Sequence, residues 1–120
     1  MDLHMKKSKA DEWLTGCPVQ HTLQYIGGKW RFGLLWSLRN ECRRFGELKR
    51  DLLGITEKML IQELRHLEAL RVVERKSYGE VPPRVEYSLT PKGRSLLPIV
   101  YGVVEWGTSS LLASQAEQQH

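Results

Sequence analysis

The chain has 120 residues, 41% hydrophobic and 27% charged, with a net charge of +4. This is the length of one domain with an ordinary core, and it excludes a fibrous repeat and wholesale disorder; two cysteines are too few for a disulfide scaffold. Charge is unevenly spread: residues 1–42 carry +2, residues 43–94 carry +4 and residues 95–120 carry −2. A basic centre suits a polyanion, and an apolar, acidic end suits a protein partner.

No apolar run approaches the roughly 20 residues of a membrane span. Lys6, Lys7 and Lys9 have no apolar stretch after them, so residues 1–12 do not read as a signal peptide but as a polar, frayed N-terminus. Cytoplasmic residence is the expectation. A domain over residues 13–114 and a polar tail over 115–120 complete the division.

A first helix is predicted from Pro18, whose missing N–H costs nothing in a first turn, to the stop at Gly27-Gly28. A second runs from about Lys29 to Leu38, with Trp30, Leu34, Leu35 and Leu38 at helical spacing and Asn40 as a left-handed stop. A third spans about Phe45 to Leu52. Gly54-Ile55 then makes a tight turn and Thr56 caps a fourth helix, Glu57 to Leu70, striped with Leu60, Leu64 and Leu67. The period changes after it: residues 72–77 and 84–89 read as two strands joined by the loop Tyr78 to Pro83. Thr90-Pro91 starts a last helix, which Pro98 is expected to kink. Two helices joined by a glycine turn and followed at once by a hairpin describe a winged helix-turn-helix, mainly α with a small β-hairpin.

The sequence also resembles a family. Cys17-Pro18-Val19, Ile26-Gly27-Gly28-Lys29-Trp30, Arg44-Phe45-Gly46-Glu47-Leu48, Gly54-Ile55-Thr56, Leu64-Arg65-His66-Leu67-Glu68, the run from Pro82 to Thr90, Gly93 and Trp106-Gly107 are similar in order to HxlR-type regulators of the broad MarR-like group. The resemblance covers about residues 17–107. Two positions depart from it: Ile61 replaces a small polar residue, and Arg71 stands where a glycine usually follows the recognition helix.

In this fold the fourth helix enters the major groove of double-stranded DNA. Thr56, Lys58, Gln62 and Arg65 are its candidate contacts. Gln62 can pair with adenine, Arg65 with guanine or a phosphate, and Ile61 can rest on a thymine methyl. Lys76, Tyr78 and Arg84 of the wing, with Arg44 and Lys49 before the recognition helix, are candidate backbone anchors; Arg43 is a further one. The bland alternative is a solvated helix face for Lys58 and Arg65 and plain surface charge for Arg43, Arg44 and Lys49.

Val100, Val103, Val104, Trp106, Leu111 and Leu112 exceed what one small domain can cover, so a homodimer is expected through the last helix. The resemblance adds the first helix, with Leu23 and Tyr25. Cys17, at a helix N-terminus that favours thiolate, is the candidate redox sensor, as the resemblance also implies. The alternative for Cys17 is a structural cysteine packed at the dimer seam; Cys42 is a candidate resolving partner.

The histidines at 4, 21, 66 and 120 make no metal or catalytic spacing with the carboxylates, and no phosphate loop or nucleophile motif is present. The expectation is a regulator that is not an enzyme and uses no metal or cofactor. A winged-helix interaction module without DNA binding, or a regulator sensing a small ligand, are the alternatives.

Overall fold

Leu60, Leu64 and Leu67 lie at the centre of the molecule, fully buried on one stripe of a helix, and the other elements pack around them. The computed structural model describes residues 17–118. The expected frayed residues 1–12, the expected domain start at residue 13 and the last two tail residues lie outside these.

The element order is α1 (Cys17–Ile26), α2 (Lys29–Ser37), β1 (Arg43–Arg44), α3 (Phe45–Asp51), α4 (Glu57–Ala69), β2 (Val73–Ser77), β3 (Val85–Leu89), α5 (Pro91–Arg94) and α6 (Leu97–Gln118). Leu34, Leu35 and Leu38 from α2 and its end, Leu48 from α3, Val72 and Val100 join the three leucines of α4 in the fully buried core. Each such side chain contributes about 1.5–3 kcal/mol by leaving water.

The sheet has three antiparallel strands in the order β1-β3-β2. The expected hairpin is β2–β3, in register from Val73 opposite Leu89 to Ser77 opposite Val85. Tyr87 and Leu89 alternate inward as predicted. The strand missing from the sequence reading is β1, two arginines facing Tyr87 and Glu86. Two residues are too short to show a period.

The last helix also departs from expectation. Thr90 caps α5, accepting from the Gly93 N–H at 3.1 Å. The helix does not then bend at Pro98. It ends at Arg94, turns through Ser95-Leu96 and restarts at Leu97, so Pro98 occupies a first turn, where its missing N–H removes no bond. At the other end α6 continues through the polar residues to Gln118, past the expected boundary at 114. Taken whole, Pro91–Gln118 is long and apolar enough by length and composition to cross a membrane, with a mean hydropathy of 1.3 in its best 18-residue window. This differs from the expectation of no such run, because Gly102, Glu105 and Thr108-Ser109-Ser110 interrupt the apolar residues without bringing the average down.

Asn40 does not stop α2 with a left-handed residue: among the described non-glycine residues only Arg71 has a positive φ, at 64°. There the departure from the family pattern has a structural answer. The Val72 N–H bonds the Leu67 carbonyl at 3.1 Å and the Arg71 N–H bonds the Glu68 carbonyl at 2.9 Å. This is a Schellman closure with Arg71 at the position that favours glycine, and the buried Val72 packs with Leu67 across it.

Candidate nucleic-acid interface

The outer face of α4 is set by what its other faces hold. The helix starts where the Thr56 hydroxyl accepts from the Met59 N–H at 3.1 Å, so Thr56 is a cap as well as a candidate contact. The three leucines fix the inner face. On the flank, Arg31 of α2 grips Glu63 through two bonds of 3.1 and 3.2 Å, and the His66 ring bonds the Gln24 carbonyl of α1 at 3.0 Å. With rotation about the helix axis fixed this way, Lys58, Gln62 and Arg65 share the exposed face at i, i+4 and i+7. Ile61 stands beside them, 38% exposed.

The wing is more internally occupied than the sequence indicated. The Arg84 guanidinium lies 4.0 Å over the Tyr78 ring and pairs with Glu80 at 3.3 Å, and its Nε is buried without a partner among the described residues. Hydrogen bonding with the nearby Glu86 carboxylate, foremost, holds the Tyr78 pKa above its ordinary 10.0 and, from the same cause, the Glu86 pKa below its ordinary 4.5. Arg84 and Tyr78, both candidate anchors, are therefore engaged with neighbours inside the hairpin. Lys76 lies 5.0 Å over the same ring but is exposed.

Before the recognition helix, Arg44 and Lys49 are exposed, with no carboxylate partner among the described residues. Arg43, the further candidate, is instead engaged by carboxylates of its own chain. It bonds Asp51 at 2.7 Å and sits within 3.6 Å of Glu41 and 3.5 Å of Glu47, and the Asp51 bond foremost keeps its pKa raised. Arg75 was missed. It shares the β2 face of buried Val73, which reads as core, yet the core ends there, and Arg75 lines a cleft of about 500 Å³ with Ile61, Arg65 and Glu68.

The profile of the HxlR-like helix-turn-helix family matches residues 25–115. The chain belongs to this family. It is 50% identical over 95 residues to the HTH-type transcriptional regulator YybR of Bacillus subtilis, covering 79% of this chain and 76% of that one. Among solved structures it resembles the redox regulator HypR in its oxidized form, at 49% identity and a TM-score of 0.75, covering 78% of this chain and 96% of that one. It also resembles the diamide-treated YodB of B. subtilis, at 29% identity and a TM-score of 0.67, covering 78% and 94%. The winged-helix fold and the place of this HxlR-like protein among transcriptional regulators with a helix-turn-helix are thereby shown.

Both cysteines of the HxlR-like chain are free and exposed. Cys17 is the first residue of α1, with His21 one turn on, edge-to-face with Tyr25 at 5.2 Å. Cys42 precedes β1, near the Glu86 carboxylate of the wing. Among the described residues no three His, Cys, Asp or Glu side chains gather as a metal site.

The surplus apolar surface lies where expected, with two exceptions. Leu23, Val103, Trp106, Leu111 and Leu112 are exposed, Trp106 by 74%, and Val104 is half-buried. Tyr25 and Val100 are buried in the chain's own core and leave the exposed set. Val19, Ile99 and Tyr101 enter it. On α1 the residues Pro18, Val19, Thr22, Leu23 and Ile26 line a mainly apolar groove of about 350 Å³.

Proposed function

We propose that this regulator is a cytoplasmic homodimer that binds a roughly palindromic operator, blocks the promoter, and is released when Cys17 is oxidised or modified by an electrophile. The observation carrying it is the α4 face, where Lys58, Gln62 and Arg65 stand exposed opposite three buried leucines. Arg65 and Gln62 read bases, while Lys58, Lys76, Arg44 and Lys49 hold phosphates. Dimerisation through α6 and α1 covers Trp106, Leu111, Leu112 and Leu23 and sets two recognition helices about 34 Å apart. It also gives the apolar α6 face a protein partner in place of lipid. Regulation by a thiol draws on the likeness to the redox regulator HypR and on the exposed Cys17 at the head of α1. The reading contains no catalytic step.

A gel-shift assay on the DNA upstream of the protein's own coding sequence tests it. A sequence-selective complex at moderate salt, lost with diamide in the parent but retained in Cys17→Ser, is the expected result. Absence of any selective complex refutes operator binding and leaves an interaction module. Equal release of parent and Cys17→Ser refutes the sensor.

A further inference from the structure

The end of α1 is tied to two other helices at one atom. The Leu23 carbonyl takes the Gly27 N–H at 2.8 Å, and the next carbonyl, that of Gln24, accepts from side chains. Arg31 Nη1 of α2 donates to it at 3.0 Å, and His66 Nε2 of α4 also at 3.0 Å. The same guanidinium turns Nε and Nη2 onto the two oxygens of Glu63, which precedes His66 by one turn on the flank of α4. From Gln24 through Arg31 and Glu63, along α4 to His66 and back to Gln24, the bonds close a ring through three helices. A bidentate arginine is planar and fixes direction as well as distance. Partly exposed ion pairs add little to stability, so direction is the larger part of what this one contributes. The ring also lies where α1 would otherwise pivot. Gly27 and Gly28 alone join α1 to α2, and Gly28 has a φ of 97°, a region that glycine enters and leaves freely. Tyr25 seats α1 in the core, but one side chain holds a point and not the direction of an axis.

We propose that Arg31, Glu63 and His66 are positioning residues for operator recognition: through the Gln24 carbonyl they lock α4 to α1 and so set the angle at which a dimer presents its two recognition helices. The inference rests on the homodimeric operator-binding reading and adds the residues that align its two halves. Glu63 and His66 are half-buried on the flank of α4, off the face of Lys58, Gln62 and Arg65, so they act without touching a base. On α1 the exposed Val19 and Leu23 belong to the face assigned to the partner, and the ring carries the direction of that face into α4. Two helices reading half-sites one DNA turn apart tolerate little error in their relative direction. A base contact held out of place costs about what a mismatched base pair does, about tenfold in affinity or more.

Two measurements on the full chain test it. The first uses no DNA: nitroxides are placed at exposed positions of α1 and α4 with Gln20→Cys and Glu57→Cys, in chains that also carry Cys17→Ser and Cys42→Ser. Dilution with unlabelled protein leaves only the distance within one chain, read by pulsed electron paramagnetic resonance. Arg31→Met should broaden that distance distribution while circular dichroism stays that of the parent. Glu63→Gln keeps the shape and loses the charge, and it decides the matter if Arg31→Met does not fold. The second measurement is the gel shift. Both variants should lose about tenfold or more on the operator and keep their nonspecific affinity, and the parent's penalty for one base pair inserted between the half-sites should shrink. A distance distribution unchanged in both variants overturns the proposal. An equal loss on operator and nonspecific DNA, with the spacing penalty intact, also overturns it, because the ring then serves stability alone. If the parent forms no selective complex, the operator-binding reading fails, and the distance measurement still decides whether the ring locks α4 to α1.

Discussion

The hydroxyl of Thr90 donates to the carbonyl of Arg71 at 2.7 Å, joining the end of the recognition helix to the start of α5. The same oxygen accepts from the Gly93 N–H, the Thr90 N–H bonds the Val72 carbonyl at 3.1 Å, and the Lys92 ammonium bonds the Leu70 carbonyl at 3.1 Å. A Cβ on Gly93 would collide with the Val72 carbonyl, so the approach requires glycine. Three successive carbonyls behind α4 are thus held by the segment that leads into α6. Thr90→Val keeps the shape and removes both hydroxyl bonds. We expect a loss of about 1–2 kcal/mol, read as a lower urea midpoint with an unchanged slope.

Arg71 gives the opposite sign. Its backbone adopts φ 64° to close the Schellman motif, a conformation that costs a residue with a Cβ about 1 kcal/mol or more and glycine almost nothing. Arg71→Gly should raise stability by about 0.5–1 kcal/mol, the gain reduced by the extra freedom of glycine in the unfolded chain. A thermal melt that falls instead would mean the Arg71 side chain contributes more than its backbone costs.

The first four helices were legible because they carry their own punctuation: Pro18, Gly27-Gly28, Gly54 and Thr56 set boundaries that the structure keeps to within a residue or so. The exposed face of α4 followed from the leucine stripe alone. What the sequence concealed depends on contacts between distant residues. Arg43 looks like a free cation until the fold brings Asp51 to it, and Arg84 until Tyr78 and Glu80 close around it. Tyr25 and Val100 look like surplus surface because apolar spacing shows which residues avoid water, not whether their cover comes from the same chain.

Asp51 makes stability at acid pH measurable. Burial works against its carboxylate, but the Ser37 hydroxyl and the Arg43 guanidinium together hold its pKa below the ordinary 3.8. A depressed carboxylate pKa contributes stability that is fully present above the unfolded value and lost as pH falls through the folded one. The parent should therefore exceed Asp51→Asn above about pH 5, by under about 1 kcal/mol for so accessible a pair, and the gap should close as pH falls through the lowered folded pKa. A gap independent of pH would show that the carboxylate's charge is not what matters.

Trp106 tests how α6 is covered. It is exposed in the single chain and makes no part of its core, so Trp106→Glu should leave the fold intact. If a second copy covers it, the charge enters an apolar interface and should shift the mass in sedimentation from dimer toward monomer. Unchanged mass would move the interface elsewhere.

Lys76 and Arg84 separate a wing that touches DNA from a wing that only holds its own shape. Lys76 is exposed and carries no carboxylate partner among the described residues, whereas Arg84 is committed to Glu80 and the Tyr78 ring. If the wing lies on the phosphate backbone, Lys76→Ala should weaken binding to specific and nonspecific DNA alike and reduce the slope of log K against log salt by about 1. Arg84→Ala should leave that slope unchanged, because its charge is already balanced, and should instead loosen the hairpin and speed amide exchange in β2 and β3. A full unit of slope lost from Arg84→Ala and none from Lys76→Ala would reverse the assignment, requiring Glu80 to release the arginine when DNA binds.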